Sequence, residues 1–336
     1  AAAIEEERVT GDQLAGEVAL LDVEALAPRR VAGRGDQANA DTAELVASRL
    51  NLSITMDGRY RRLLGGDPAG DWAVELDFDF LQRLGQQERG TDDLLDELRD
   101  SAEDLLKTLA ELVVPKELVS TPLPMHRLGE IETLIELLRA AGARGTSDSV
   151  GYAFGMQFNP EVPGESARDI TPYLRAFLCL YPWLYLRAKV DLTRRITSYI
   201  DPFPLDYVRK VVAPAYAPAL DTLIDDYLEW NPTRNRALDF LPLFLHLDEE
   251  RVRNVTDDPL IKPRPALHYR LPNCDIHHPD WGFYLAWNEW LEVEERGARP
   301  RRLAKCCEAY SKFLANPLQR WMGDWAKEVE RQWLRR

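Results

Sequence analysis

The sequence predicts an α+β fold, rich in strands through its first half and in helices through its second. Three observations carry this. The stretch DWAVELDFDF (71–80) alternates Trp72, Val74, Leu76, Phe78 and Phe80 with Glu75, Asp77 and Asp79. A period of two puts the apolar side chains on one face of a strand and the carboxylates on the other. From Asp92 to Val113 the period becomes helical, with Leu95, Leu98, Ala102, Leu105, Leu106 and Leu109 on one stripe. Beyond Gly164 come helices rich in Leu, Tyr and Trp, interrupted by one strand, RPALHYRLP (264–272). Strands first, helices after and one strand returning is the pattern of α+β, not of alternating βαβ units.

The remaining elements follow in chain order. Residues 1–15 read as a flexible terminus, and GEVALLDV (16–23) as a short strand. A polar loop is expected from Pro28 to Asp41, where Asp41 caps a helix running to Leu50. A strand near 52–56 follows, and the turn GGDPAGD (65–71) has the punctuation expected between paired strands. VVPKELVSTPLP (113–124) reads as a strand. The next helix, about 126–141, turns Leu128, Ile131, Ile135 and Leu138 inward and stops at Gly142. GYAFGMQFNPE (151–161) is another strand, with Met156 and Phe158 on its apolar face and Gln157 and Asn159 on the other. Further helices are expected over 171–189, 217–229, 236–247 and 281–296, with two more after Arg301. Trp321, Trp325, Val329 and Trp333 recur every four residues, the spacing of a packing face.

Composition narrows the function classes. Of 336 residues, 45% are hydrophobic and 29% charged, ordinary values for a chain with a sizeable core. A formal charge of −14 repels phosphate backbones and argues against nucleic acid. It leaves room for a nucleotide, since a divalent cation and local arginines can reverse the field in one cleft. Cys179, Cys274, Cys306 and Cys307 show no C-x-x-C spacing, so free thiols and a reducing compartment are expected. No apolar run of membrane-spanning length occurs, and a cytoplasmic location is the expectation.

The chemistry resides in the polar faces. Glu17, Glu75, Asp77, Asp79 and Glu117 sit on strand-like segments, and the late strand offers Arg264, His268 and Arg270 on one face. Acids on one side of a shared sheet face and guanidinium groups on the other would suit Mg²⁺–nucleotide chemistry. Hard cations want several oxygen ligands, and phosphoryl transfer needs charge neutralisation. Neither a G-x-x-x-x-G-K-[ST] loop nor a G-x-G-x-x-G fingerprint is present, so a nucleotide would have to be held on the sheet. The run Asn273-Cys274-Asp275-Ile276-His277-His278 lacks the partner spacing of a zinc site and reads as a polar loop.

Six segments together resemble the amidoligase family, relatives of glutamine synthetase and glutamate–cysteine ligase. They are ELVSTPLP (117–124), GARGTSDS (142–149), GYAFGMQFNPEVP (151–163), DLTRRITSYIDPFP (191–204), NPTRNRALDFLPLF (231–244) and RPALHYRLPNCDI (264–276), in the family's order. The resemblance implies a curved antiparallel sheet of glutamine-synthetase-like type, with a catalytic domain over 16–275 and a helical extension over 276–336. It implies amide formation between a carboxylate, such as the glutamate side chain, and an amine or peptide, by way of an acyl phosphate with ATP and Mg²⁺. Glu17, Glu75, Asp77 and Glu117 would be metal ligands. Asn159, Gln157, Arg234, Arg264 and Arg270 would hold the nucleotide or substrate, and Arg264, His268 and Arg270 would serve catalysis. Glu161, Arg194, Arg195 and Arg236 also fall in family motifs, and homo- or hetero-oligomers are compatible with them. Two departures stand out. Where the family's first strand reads Glu-apolar-Glu, this chain has Glu17-Val18-Ala19, and Gln157 stands where the family has a histidine. These departures open a second expectation, a catalytically silent homologue that binds ligand or serves as a partner subunit.

Overall fold

The structure, a computed structural model, describes residues 18–24, 35–58, 61–76, 116–145, 155–189 and 200–335. Helices and strands are mixed, and the strands pair antiparallel, as the sequence predicts. The described chain forms two compact units, chiefly Leu20–Met156 with Cys274–Trp281, and Gln157–Asn273 with Gly282–Arg336. The predicted helix 92–113 lies outside the described residues.

The first unit contains β1 (Val18–Glu24), α1 (Gly35–Leu50), β2 (Ser53–Met56), β3 (Arg61–Gly65), β4 (Trp72–Leu76), β5 (Lys116–Val119) and α2 (Leu128–Ala140). Its strands run in the order β2-β3-β4-β5-β1. Trp72 and Val74 of β4 are buried and Glu75 is half-buried, while Ala73, on the same face as Glu75, is buried too. The turn between β3 and β4 is held by Asp67. Its carboxylate accepts from Ala69 N at 2.9 Å, Trp72 Nε1 at 3.0 Å and both terminal nitrogens of Arg127 at 2.8 and 2.6 Å. The Arg127 hydrogen bonds hold that carboxyl well below the usual carboxylate range.

Helix α1 begins earlier than expected, at Gly35, and Asp41 lies inside it. Asn39, Ala43, Val46 and Ala47 are buried, so the packed stripe starts before Asp41. Its first member is polar, which hides it from an apolar pattern. Helix α2 buries Leu128, Ile131, Ile135 and Leu138 and ends where Gly142 takes φ 91°, both as predicted.

The GARG segment then meets another part of the same unit. A Cβ on Gly145 would stand 2.1 Å from the carbonyl oxygen of Cys274. Arg139 reinforces the approach, with Nε donating to the Ile276 carbonyl at 2.7 Å and Nη2 to that of Trp281.

The second unit contains β6 (Met156–Pro160), α3 (Ala167–Arg187), α4 (Leu205–Val212), α5 (Leu220–Trp230), β7 (Leu238–Asp239), α6 (Leu241–Leu247), α7 (Glu249–Arg253), β8 (His268–Tyr269), α8 (Phe283–Gly297), α9 (Pro300–Ala315), α10 (Pro317–Met322) and α11 (Trp325–Gln332). Its strands run β6-β8-β7, with Phe158 opposite Tyr269, Leu238 also opposite Tyr269, and Asp239 opposite His268. Phe158 packs edge-on against Tyr269 at 5.0 Å, Phe283 at 5.6 Å and Trp290 at 6.2 Å between centroids, tying the strands to α8. Helices α8, α9 and α11 all pack on α3.

Three expectations change here. The helix predicted over 236–247 is β7 followed by α6, because Leu238 and Asp239 pair with β8. The strand predicted over 264–272 keeps only His268–Tyr269 as ladder, with a single bridge between Ala266 and Glu161. Pro265 and Pro272 have no N–H to contribute to a ladder. The tryptophan stripe is broken at Gly323, so Trp325 and Val329 are buried while Trp321 on α10 is 84% exposed.

The close approach at Gly145 yields a prediction. Gly145→Ala must displace backbone at Cys274–Ile276, and it should lower stability by ~2 kcal/mol or more. Chemical denaturation measures this, and an unchanged midpoint would contradict the packing.

Candidate functional site

The register of β6, β8 and β7 assembles a polar cluster in the second unit. Since Phe158 and Tyr269 point into the aromatic core, their neighbours Gln157, Asn159, His268 and Arg270 take the opposite face. That face is far from bare. Gln157, Asn159, Asp239 and Arg270 are all buried, and His268 is largely so.

Inside this cluster the hydrogen bonds define protonation. His268 Nε2 lies 2.5 Å from Gln157 Oε1, and an amide oxygen only accepts, so Nε2 carries the proton. The other ring nitrogen, Nδ1, then faces Asp239 Oδ2 at 4.0 Å. Burial pushes the His268 pKa well below 6.5, and the positive charges of Arg270, Arg264 and Arg234 push it the same way. Both influences favour the neutral imidazole.

Asp239 carries the opposite tension. Burial pushes its carboxyl up to about 7, although a hydrogen bond from Leu241 N at 2.8 Å and the charges of Arg270, Arg234 and Arg264 pull it down. Desolvation wins. A carboxyl poised near neutrality beside a neutral imidazole, in a field of three guanidinium groups, is the arrangement from which proton transfer works best.

Arg270 Nη1 donates to the Arg234 carbonyl at 2.5 Å, and Arg234 Nε pairs with Asp258 at 3.4 Å. Arg236, from the same motif, does something else. Its Nε donates to Asn231 Oδ1 and its Nη1 to the Pro202 carbonyl, both at 2.8 Å, and its Nη2 to the Trp230 carbonyl at 3.2 Å. It braces the loop before β7.

The acidic row belongs to the first unit. Glu75 of β4 stands opposite Glu117 of β5, and Glu117 opposite Glu24 of β1. This places three glutamate positions side by side across adjacent strands. Glu75 also pairs with Arg61 Nε at 2.9 Å. Glu17 and Asp77 lie outside the described residues, as do Arg194 and Arg195. Among the described residues no group of three or more His, Cys, Asp or Glu side chains is gathered as a metal cage. The four cysteines are free and buried, as expected, and no described helix is long and apolar enough to cross a membrane.

Two positions escaped the sequence reading. Asp239 was absorbed into a presumed helix, yet a lone acid inside the apolar run ALDFLPLF is a signal of enforced burial. Glu24 was passed over in favour of Glu17, although Asp22-Val23-Glu24 itself has the acid-apolar-acid form. The recorded pairing of β1 with β5 spans Asp22 to Glu24.

Residues 31–292 match the family model described as "Putative amidoligase enzyme". The class of activity attached to that family is amide formation by a ligase. The chain belongs to this amidoligase family, the match covering well over half of its length. No curated protein and no solved structure matched.

The protonation pattern is directly measurable. The His268 imidazole should remain neutral, with its proton on Nε2, as pH falls through 6.5, followed by ¹⁵N-resolved NMR of the ring. A titration midpoint at or above 6.5 would contradict the buried, arginine-flanked environment.

Proposed function

We propose that this chain is an ATP-dependent ligase that joins a carboxylate, such as the side chain of glutamate, to an amine through an acyl phosphate. The observation that carries this is Asp239, a buried carboxyl pushed up to about 7, opposite His268 in register and within the field of Arg234, Arg264 and Arg270. Amide formation requires an amine to lose a proton as it attacks. A base with a pKa near neutrality performs that best at neutral pH.

The arginines suit the other half of the reaction. They supply fixed positive charge where a substrate carboxylate and phosphoryl oxygens would need it, and Arg geometry favours planar anions. Within the reaction, ATP would supply the phosphoryl group and Mg²⁺ the charge neutralisation that make a carboxylate electrophilic. The side chains suited to a hard cation are the oxygen donors of Glu75 and Glu117, with Glu24 at the next register position. The Arg61 partner of Glu75 would have to be released or shared for that role. The glutamine at 157 ceases to look like a loss on this reading. It anchors the imidazole of His268, so the polar face still carries a histidine. A curved sheet of glutamine-synthetase-like type is the fold this reading implies.

A second reading has one observation in its favour. The Glu75–Arg61 ion pair neutralises a carboxylate that a metal would need, as in a silent homologue that binds ligand without turnover.

The experiment is a pH–rate profile of ADP release, with ATP, Mg²⁺, glutamate and a pool of amines. Wild-type kcat/KM should rise with pH through about 7. Asp239→Asn should lose the limb and roughly 100-fold in rate. Its folding is checked by stability. A raised carboxyl pKa in the fold stabilises the protein below 3.8, and that contribution is lost as pH rises to about 7. Asp239→Asn should lack this decline. A variant that retains full activity and the same pH limb would exclude Asp239 as the base. No ADP release by the wild type with any amine would favour the silent homologue.

A further inference from the structure

The helices of the second unit form an open cavity of about 740 Å³, whose chemistry differs from that of the polar cluster. Tyr181 and Tyr185 of α3, Tyr310 and Phe313 of α9, and Trp325 of α11 form aromatic walls. None of the residues of the polar cluster lines it. The size is that of a cavity for a small organic molecule, and aromatic lining with a few polar groups is typical of such sites.

The aromatic wall is rigidly built. Trp325 donates its Nε1 proton to the Cys179 carbonyl at 2.9 Å, and its ring stacks on Tyr310 at 4.7 Å between centroids. Phe313 lies against the same indole at 5.3 Å. These rings pack directly against one another.

The polar groups decide what the cavity would take. Among the described residues that line it, the charged ones are Asp201 and Asp324, with no Lys, Arg or His. Asp324 is already engaged: it caps α11 through Lys327 N at 3.2 Å and pairs with Lys327 Nζ at 3.3 Å. Asp201 is held by its backbone, whose N–H donates to the Asn235 carbonyl at 2.6 Å. Among the described residues nothing engages its carboxylate. A described lining that combines aromatic faces with an uncommitted aspartate and no cation disfavours anions and leaves a neutral or a positive guest. The aromatic faces and the carboxylate both favour the positive one, and a net charge of −14 attracts it from a distance.

We propose that this cavity is a second binding site, selective for an organic ammonium ion carried on an apolar body. The site stands independently of the ligase reading, because it shares no residue with the polar cluster and its test requires no turnover. Beside it, α10 exposes Leu318, Trp321 and Met322, and Gly323 at its end lines the cavity. That apolar edge offers another occupant, a second copy of the chain, which the experiment separates.

The test is calorimetry on the full chain with benzyltrimethylammonium, benzyl alcohol and benzoate at equal ionic strength. The ammonium ion should bind at least tenfold more tightly than the alcohol, benzoate should not bind, and added salt should weaken only the ammonium. Asp201→Asn should bring the ammonium down to the affinity of the alcohol while leaving alcohol binding intact, which also shows that the variant is folded. Equal wild-type affinities for the three probes would overturn the proposal without recourse to any variant. An unchanged ammonium affinity in Asp201→Asn would do the same. A dimer in sedimentation that Trp321→Ala dissolves, with no ammonium binding in either state, would assign the cavity to self-association and overturn it as well.

Discussion

The pairing of Phe158 with Tyr269 is the constraint on which the polar cluster depends. Opposite each other in register and edge to face at 5.0 Å, these rings commit one parity of β6 and β8 to the aromatic core beneath α8. Everything of the other parity must then lie on the remaining face, whatever its polarity. Gln157, Asn159, His268 and Arg270 are placed there by packing on the far side of their own strands. A one-residue slip would bury the arginine in the core and expose the tyrosine. The aromatic core is therefore also the device that aims the polar groups.

Burial of that polar face sets its electrostatics. In water three guanidinium groups would hold a neighbouring aspartate fully ionised. Around Asp239 desolvation outweighs them, and the carboxyl rises to about 7. The same desolvation and the same arginines act together on His268, so the two titrating groups are driven apart from the order of their free pKa values. An acid near neutrality and an imidazole kept uncharged form a pair whose roles are assigned by environment, as in sites that combine two titratable groups for proton transfer.

Much of this was legible in the sequence, and the remainder failed for identifiable reasons. The period of two at Trp72–Glu75 and at Met156–Asn159 located strands correctly, although both faces of Met156–Asn159 are buried. The stripe on α2 and the stop at Gly142 were equally readable. Asp239 was not, since two strand residues joined directly to a helix leave too short a period to recognise. The late strand was overextended because its alternation continues through prolines that cannot contribute to a ladder. Trp321 kept helical spacing with Trp325, but the helix breaks at Gly323, and spacing alone cannot see a break. The GARG glycine was noted as a turn. Its true demand, a backbone passing where a Cβ would stand, is a tertiary fact with no local signature.

Departures from a family pattern were weaker guides than the pairings. Gln157 read as a missing imidazole until His268 was found hydrogen-bonded to it at 2.5 Å. Ala19 read as a missing carboxylate until the register set Glu24 beside Glu117. In both cases the strand pairing sets a residue of that type at a neighbouring position, which a linear alignment does not represent.

The central claim, that a carboxylate is activated as an acyl phosphate before an amine attacks, is tested most directly by isotope transfer. Glutamate labelled with ¹⁸O in its side-chain carboxylate is incubated with the protein, ATP, Mg²⁺ and an amine pool, and the released phosphate is analysed by mass spectrometry. The account predicts one ¹⁸O atom in the phosphate for each amide formed. Amide formed with unlabelled phosphate would contradict it.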